Sequence, residues 1–541
     1  MKFRKFLILT GKKFSAAYQA FLAAVGADGG TVEAKAYTDA LLQTASNASI
    51  VQIPSAYKAA VLYNQVPTPT GQDFTVARAS DVWRVNPIGI LEVANAGYGD
   101  DVVTGWDFTS GWTLGATVVV TNATTFSNVT GVRGLKKDYL TVGKTYKMHV
   151  IGTSDVLVSV YNGTAGVLYK SLGTGAFDET FQFTATIDGF INILNLQANG
   201  TTTVTSMVVE QLITFDVPCI DYSDGFPVLL TQPQSTNLVT YSEDFSDVYW
   251  TVASSNITTV FGQSSPDGTL NATRITATAG SPSRLRGQST ITSGVSTTVS
   301  LYIKRVSGSG IVSLFNVNGV GSVSLPITNE WERYSVSAVS TSTTGRFILD
   351  IATDDDIIDV WGTQLEELSY PTSYIPTSGA TATRLGDLVT GAGSTSSINS
   401  EEGVLYLEIA ALANSGAYRV VSLTSGIITQ RIFIGYAPSN NQIQFYMQTT
   451  SGNQVSILHT LSNALDYNEI AIKWKTNDAG LYVNGVEVAT DVSVITDAAN
   501  TYGKLNFTDY NGTSSYFYGK TKQLRVYSSI ADAQIDLPYI T

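Results

Sequence analysis

The sequence predicts a mainly β protein, with tandem β-sandwich (jelly-roll) domains behind a short α-helical N-terminal region. Three observations carry that expectation. From Trp106 onward, short runs of β-branched and aromatic residues alternate with Asn-Gly, Asp-Gly and Thr-Gly turns. Charged residues make up only 14% of a chain that is 43% hydrophobic, so the surface must be built from Ser, Thr, Asn, Gln and Gly. Two stretches of similar length open and close alike, the mark of an internal repeat. At 541 residues the chain exceeds one core, and roughly 150 residues per domain gives three or four. Abundant aromatic and β-branched residues argue against disorder.

The elements follow in order. Residues 1–50 read as a helical attachment region: Phe14, Tyr18, Phe21 and Leu22 recur at helical spacing. The break at Gly26-Ala27-Asp28-Gly29-Gly30 leaves Thr31 to cap a second helix carrying Tyr37, Leu41 and Leu42. Residues 51–102 read as an extended segment. Residues 103–215 form the first sandwich, opening on Trp106-Asp107-Phe108-Thr109-Ser110-Gly111-Trp112-Thr113 and closing on Val208-Val209-Glu210-Gln211-Leu212. After a connector at 216–243, the second sandwich spans 244–370. It opens on Asp244-Phe245-Ser246-Asp247-Val248-Tyr249-Trp250-Thr251 and closes on Thr363-Gln364-Leu365-Glu366.

The Pro, Ser and Gly run of the 371–399 linker can continue neither sheet nor helix, so it reads as an extended strap leaving the sandwich. Residues 400–541 form a last sandwich. Gly403–Ile409 alternates as a strand, and Asn484-Gly485 suits a type I′ hairpin turn.

The net charge of −13 excludes nucleic acid as a partner, because phosphate binding needs basic patches. It also disfavours an anionic membrane surface. No apolar run approaches the roughly 18 residues of a bilayer span. The four apolar residues Phe6-Leu7-Ile8-Leu9 fall short of the 7–15 typical of a signal peptide, about half at best. No membrane insertion and no secretion are expected. Cys219 is the single cysteine, which excludes an internal disulfide framework and a Cys-rich zinc site; it reads as a small buried hydrophobe.

Three ordered tracts stand out. The first is Asp73-Phe74-Thr75-Val76-Ala77-Arg78-Ala79-Ser80. The second is Ile220-Asp221-Tyr222-Ser223-Asp224-Gly225-Phe226, with Gln232-Pro233-Gln234-Ser235-Thr236-Asn237-Leu238 behind it. The third joins Val360-Trp361-Gly362-Thr363-Gln364-Leu365-Glu366 to Tyr370-Pro371-Thr372-Ser373-Tyr374-Ile375-Pro376-Thr377-Ser378-Gly379-Ala380 and Thr383-Arg384. Together they resemble, in order, segments of tailed-bacteriophage virion structural proteins that accompany a carbohydrate-binding-module-like sandwich. One departure is Val76-Ala77, where the resemblance would place a Thr before Arg78. The last block resembles the concanavalin A/laminin-G-like sandwich.

The resemblance implies a virion location, with assembly in the reducing bacterial cytoplasm and release by lysis. The role implied is a tail-fibre, collar or head-fibre component contacting host-surface glycans. Other virion proteins would be held through the N-terminal region, and a homo-oligomer is implied, a trimer most simply. The alternative is pure capsid or tail decoration without sugar binding; a polysaccharide-degrading enzyme is a further one.

No catalytic residues are assigned. His149 and His459 are the two histidines, and neither sits beside a nucleophile elbow. The Glu-x-Asp-x-x-Glu strand of laminarinase-type relatives is missing around Glu408. Sugar contact by aromatic platforms would use Tyr249, Trp250 or Trp331 in the second sandwich, or Tyr436, Tyr446, Tyr516 and Tyr518 in the last domain. Each also reads as a core aromatic, Trp250, Trp331 and Trp361 above all. No cofactor is expected beyond a structural calcium. Asp354, Asp355 and Asp356 could supply its oxygen ligands from a loop, since neighbours on a strand point to opposite faces. The simpler reading is a solvated acidic loop.

Overall fold

The computed structural model of the protein describes residues 45, 47–58, 61–64, 73–95, 98–162, 166–252, 256–278, 283–316, 321–414 and 416–541. The expected helices between Phe14 and Leu42 lie outside them. The protein is mainly β, and the one α-helix among the described residues is Ile530–Asp536. Two compact units are present: Asn95–Ile213, and a larger one built from Met1–Ala94 with Thr214–Thr541.

In the smaller unit, one sheet runs Thr113–Leu114, Arg133–Asp138, Phe190–Asn195, Thr145–Asn162, Thr201–Leu212, Thr125–Asn128, Val118–Asn122. Val167–Thr184 pairs along Thr145–Asn162, and Tyr98–Asp101 along Thr201–Leu212. Strict alternation sends Tyr146, Met148 and Val150 inward to the core. The opening aromatics Phe108 and Trp112 meet edge to face at 5.1 Å within that core.

The larger unit holds two sandwiches. The first stacks two five-stranded sheets. One is ordered Thr251–Val252, Ser283–Thr290, Thr344–Ile351, Val312–Asn316, Gly321–Ser324. The other is ordered Ile257–Gln263, Ala272–Ala277, Ile357–Glu366, Ser296–Ser307, Glu332–Val339. Its opening pair, Phe245 and Trp250, is buried as in the smaller unit, with ring centroids 4.7 Å apart. The Trp-Gly step is a β-bulge: the ladder slips between Ser300 opposite Gln364 and Tyr302 opposite Trp361. Gly362 there has φ +64°, and a Cβ would lie 3.2 Å from the Tyr302 ring.

The second sandwich recruits strands from far upstream. Its large sheet runs Leu388–Thr390, Phe74–Ala77, Val61–Asn64, Ile50–Lys58, Gly519–Tyr527, Glu402–Ala411, Asn468–Lys475, Ala479–Val483, Val486–Asp491. Val228–Thr231 adds to Gly519–Tyr527. The facing sheet runs Gly452–Thr460, Gln442–Thr449, Arg431–Tyr436, Arg419–Thr424, Lys504–Asn506. Leu405, Leu407, Ile472 and Val526 from one sheet and Ile434, Phe445 and Leu505 from the other fill the core. Asn484 and Gly485 take φ of +50° and +80°, as a type I′ turn requires, and close the Ala479–Val483 hairpin.

The outer face of the large sheet is divided. At one end Val404, Tyr406 and Tyr527 lie beneath Ala533, Leu537 and Ile540 of the C-terminal helical segment. At the other end the outward positions become polar, beginning with Glu408.

Candidate functional site

The residues of the three tracts meet in a buried junction. The Arg78 side chain, 2% exposed, is ion-paired to Asp387 and donates to Val217 O at 2.7 Å. Asp387 also accepts from Gln232 N at 2.7 Å and lies 3.7 Å from Arg384. Burial pushes the Arg384 guanidinium down, and Asp387 pulls it back up. Glu366, fully buried, accepts from Ser235 Oγ at 2.6 Å and from Thr372 N at 3.0 Å. Asn237 Nδ2 donates to Thr363 O and Ile375 O, while its Oδ1 accepts from Leu365 N and Val239 N.

The strap after Tyr370 therefore does not leave the sandwich, in contrast to the expectation. Ala382–Arg384 pairs with Ser235–Asn237, and Thr377 N donates to Ser242 Oγ at 2.8 Å. Its Pro residues rule out sheet pairing along most of its length, and side chains of the entry segment, Asn237 and Ser242, and of the closing strand, Gln364 and Glu366, satisfy its backbone instead. Cys219 is buried beside this junction, and burial pushes its thiol up to about 12. It is an inert core group.

A groove of about 500 Å³ opens on the polar end of the outer face. Its walls are Leu412, Leu465 and Pro371, with Tyr370 and Tyr467 as aromatic faces and Asp224, Asp466 and Lys520 as charged groups. Asp224 sits in the turn Tyr222–Gly225, closed by Gly225 N donating to Tyr222 O at 2.9 Å. The buried carboxylate of Asp221 holds that turn by accepting from Val85 N at 2.8 Å and Ser223 N at 3.1 Å.

The Tyr467 hydroxyl donates to Asp224 Oδ2 at 2.6 Å, and Lys520 Nζ donates to both Asp224 oxygens at 2.8 and 2.7 Å. Burial, then the Asp224 carboxylate, raises the Tyr467 hydroxyl, so it stays protonated as the donor. A bulge opposite Glu408 and Ile409 lets both Lys522 Nζ and Gln523 Nε2 reach the Glu408 carboxylate, at 2.7 and 2.9 Å. Lys522 also lies 4.2 Å over the Phe226 ring and 4.4 Å over Tyr467, bracing the floor beneath the groove.

The expected sugar contacts are not brought together. Tyr516 and Tyr518 stack at 5.6 Å on the outward positions that lead to Lys520. Burial raises the Tyr518 hydroxyl, and neither Tyr516 nor Tyr518 lines the groove. The other five lie elsewhere, Trp250 in the core of its own sandwich. Tyr436 is only 1% exposed inside the core and has no face to offer a ligand. Tyr446 stacks on Phe433 at 5.0 Å, with Arg431 across its ring. Tyr249 is half-buried against the core of its sandwich, its hydroxyl 2.8 Å from Ser289 Oγ. Trp331 packs on the Trp361–Tyr374 cluster with Lys304 4.9 Å over its ring.

Asp354 and Asp355 are exposed, whereas Asp356 turns inward to Arg305 at 3.1 Å. Among the described residues, no group of three or more His, Cys, Asp or Glu side chains is placed to hold a metal. His149 is half-exposed and pairs with the exposed Asp178 at 2.7 Å. Asp224, Asp466, Tyr467 and Lys520 were missed as site residues. The available signal was the Tyr516-x-Tyr518-x-Lys520 alternation, which points three consecutive outward positions at one edge.

These features define a β-sandwich protein with a lectin-like C-terminal domain. Residues 407–534 match the family described as the concanavalin A-like lectin/glucanases superfamily. Comparison with the curated proteins finds no match. Among solved structures, the tandem CBM22 domains of Paenibacillus barcinonensis Xyn10C align with 51% of this chain and 100% of theirs, at 11% identity and a TM-score of 0.21. The binding domain of Paraclostridial Mosquitocidal Protein 1 aligns over 28% of this chain and 43% of that one, at 12% identity and a TM-score of 0.22. Mouse laminin α1 domains LG4-5 align over 44% and 83%, at 12% identity and a TM-score of 0.19.

Proposed function

We propose that the chain is a non-catalytic structural protein of a tailed-bacteriophage virion, a tail-fibre, collar or head-fibre component. In this reading its N-terminal region holds other virion proteins, it assembles with copies of itself, and its lectin-like domain touches host-surface glycans. One observation carries the reading. The tracts that resemble phage structural proteins converge on one buried junction, where Arg78, Asp387, Arg384, Glu366 and Asn237 are consumed by structural bonds. Residues spent this way serve architecture, as a virion role would require, and these five are not free to act as acid, base or nucleophile.

The test is immunogold labelling of purified particles with antibody raised against the whole chain, joined to a glycan array of the whole protein. Label on tails, collars or head fibres, with glycan binding, is the expected result. Label without glycan binding leaves the decoration reading. Chain found only in the unsedimented lysate, or release of sugar from a polysaccharide, would overturn the proposal.

A further inference from the structure

We infer that the groove between the Tyr222–Gly225 turn and the entry to strand Asn468–Lys475 is a subsite for one neutral sugar residue of a glycan. The inference rests on the glycan-contact reading above and names the place and the ligand class. At about 500 Å³ the groove falls in the lower third of the roughly 300–1,000 Å³ typical of small-ligand sites.

Its chemistry selects among ligands. An apolar molecule would strip water from the Asp224–Lys520 pair, whose side chains are 27% and 25% exposed, and return no hydrogen bond. An anion would meet two carboxylates, Asp224 and Asp466, and one ammonium already paired with Asp224. A bare cation would have to displace Lys520 from the same carboxylate. A neutral pyranose suffers none of these penalties. Its vicinal hydroxyls donate to a carboxylate and accept from an ammonium at once, and the Asp224–Lys520 pair presents both side by side. Its C–H face packs against Tyr370, Leu412 and Leu465.

Preorganisation adds to the case. Asp224 is fixed from one side by the Tyr467 hydroxyl and from the other by Lys520, so little rotamer freedom is left to lose on binding. The turn carrying Asp224 belongs to the connector, outside the 407–534 match to the lectin-like family. The subsite is therefore a composite of that domain with a foreign loop.

The experiment uses the full chain on an array of neutral, uronate-bearing and sulfated glycans, followed by calorimetry with the best ligand. Three variants are compared: Asp224→Asn, Asp466→Ala and Leu465→Arg, the last two at exposed positions. Binding to a neutral glycan, weakened about tenfold to a hundredfold by Asp224→Asn and abolished by Leu465→Arg at unchanged melting temperature, is expected. Glycan binding that all three variants retain would overturn the subsite while leaving the glycan-contact reading intact. Binding confined to anionic glycans would overturn the ligand class. Absence of any glycan binding by the wild-type chain would overturn both.

Discussion

Within Asn95–Ile213, every buried polar side chain among the described residues is neutral: Asn128, Ser154, Ser159, Asn162, Asn195 and Thr202. The larger unit instead buries Arg78, Arg384, Asp387, Glu366, Asp359 and Lys473. The difference follows from what has to be joined. In the smaller unit, Asn195 Nδ2 donates to Asn128 Oδ1 at 3.1 Å and to Gly200 O at 3.0 Å. Asn162 Oδ1 accepts from Thr186 N and Ile187 N. These amides close turns that strand pairing leaves open, and an uncharged group does so at low desolvation cost. The junction of the larger unit must join residues more than a hundred positions apart, Arg78 to Val217 and Asp387, and Gln232 to Asp387. Charge-assisted bonds give that contact strength and direction, and they make it fragile to loss of one partner.

The same repeat shows the divergence at a single position. The smaller unit's nine-stranded sheet and the first sandwich of the larger unit both open on a buried aromatic pair, yet their closing glutamates have separate fates. Glu210 is partly exposed and pairs with Lys147 at 2.5 Å, whereas Glu366 is fully buried and ties the strap to the entry strand.

The largest effect should come from Asp387→Ala, which leaves Arg78 and Arg384 buried without their carboxylate and costs about 3–5 kcal/mol. Hydrogen exchange read by mass spectrometry should show protection lost across the larger unit and kept in Val150, Val160 and Met207 of the smaller core. Equal loss in both units would break the comparison. Next comes Asn195→Ala, expected to cost about 1–3 kcal/mol by removing one buried partner each from Asn128 Oδ1, the Gly200 carbonyl and the Thr202 hydroxyl. Its loss should be confined to the smaller unit. A cost equal to that of Asp387→Ala would erase the distinction between neutral and ionic burial.

Much of this architecture was legible in the chain, and the reason is periodicity. The alternation at Gly403–Ile409 and the Asn484-Gly485 turn are local signals, and strand faces and hairpins follow from them. Recruitment of Ile50–Lys58 and Val228–Thr231 into the last sandwich was not legible, because pairing partners hundreds of residues apart leave no local mark. The strap failed for a related reason. Pro and Gly correctly exclude regular structure from Tyr370–Ala380, but they say nothing of the side chains that receive it, such as Ser242 and Gln364. Aromatic character points to Tyr516 and Tyr518, which do not line the groove. Asp224 and Tyr467 could not be paired by inspection, since 243 positions separate them.

The finest test of the contrast is pH. Glu243 accepts from the Tyr374 hydroxyl at 2.8 Å and from Asn271 Nδ2 at 2.7 Å, and burial raises it above its ordinary 4.5 despite the Tyr374 bond. A carboxyl raised in the folded state binds its proton more tightly there than in the unfolded chain. Its stabilising contribution is complete below 4.5 and is lost as pH rises through the raised folded value. Glu243→Gln stays neutral throughout. The Tyr374 hydroxyl can accept from the new amide, because its 2.7 Å bond with Ser242 Oγ can run in either direction. The variant should therefore gain stability relative to wild type as pH climbs past that value, read from urea midpoints across a pH series. The smaller unit buries no carboxylate among its described residues, so its midpoint should stay parallel in the two proteins. A difference curve flat with pH would show that Glu243 is as well solvated folded as unfolded, and would remove this carboxyl from the contrast between the two units.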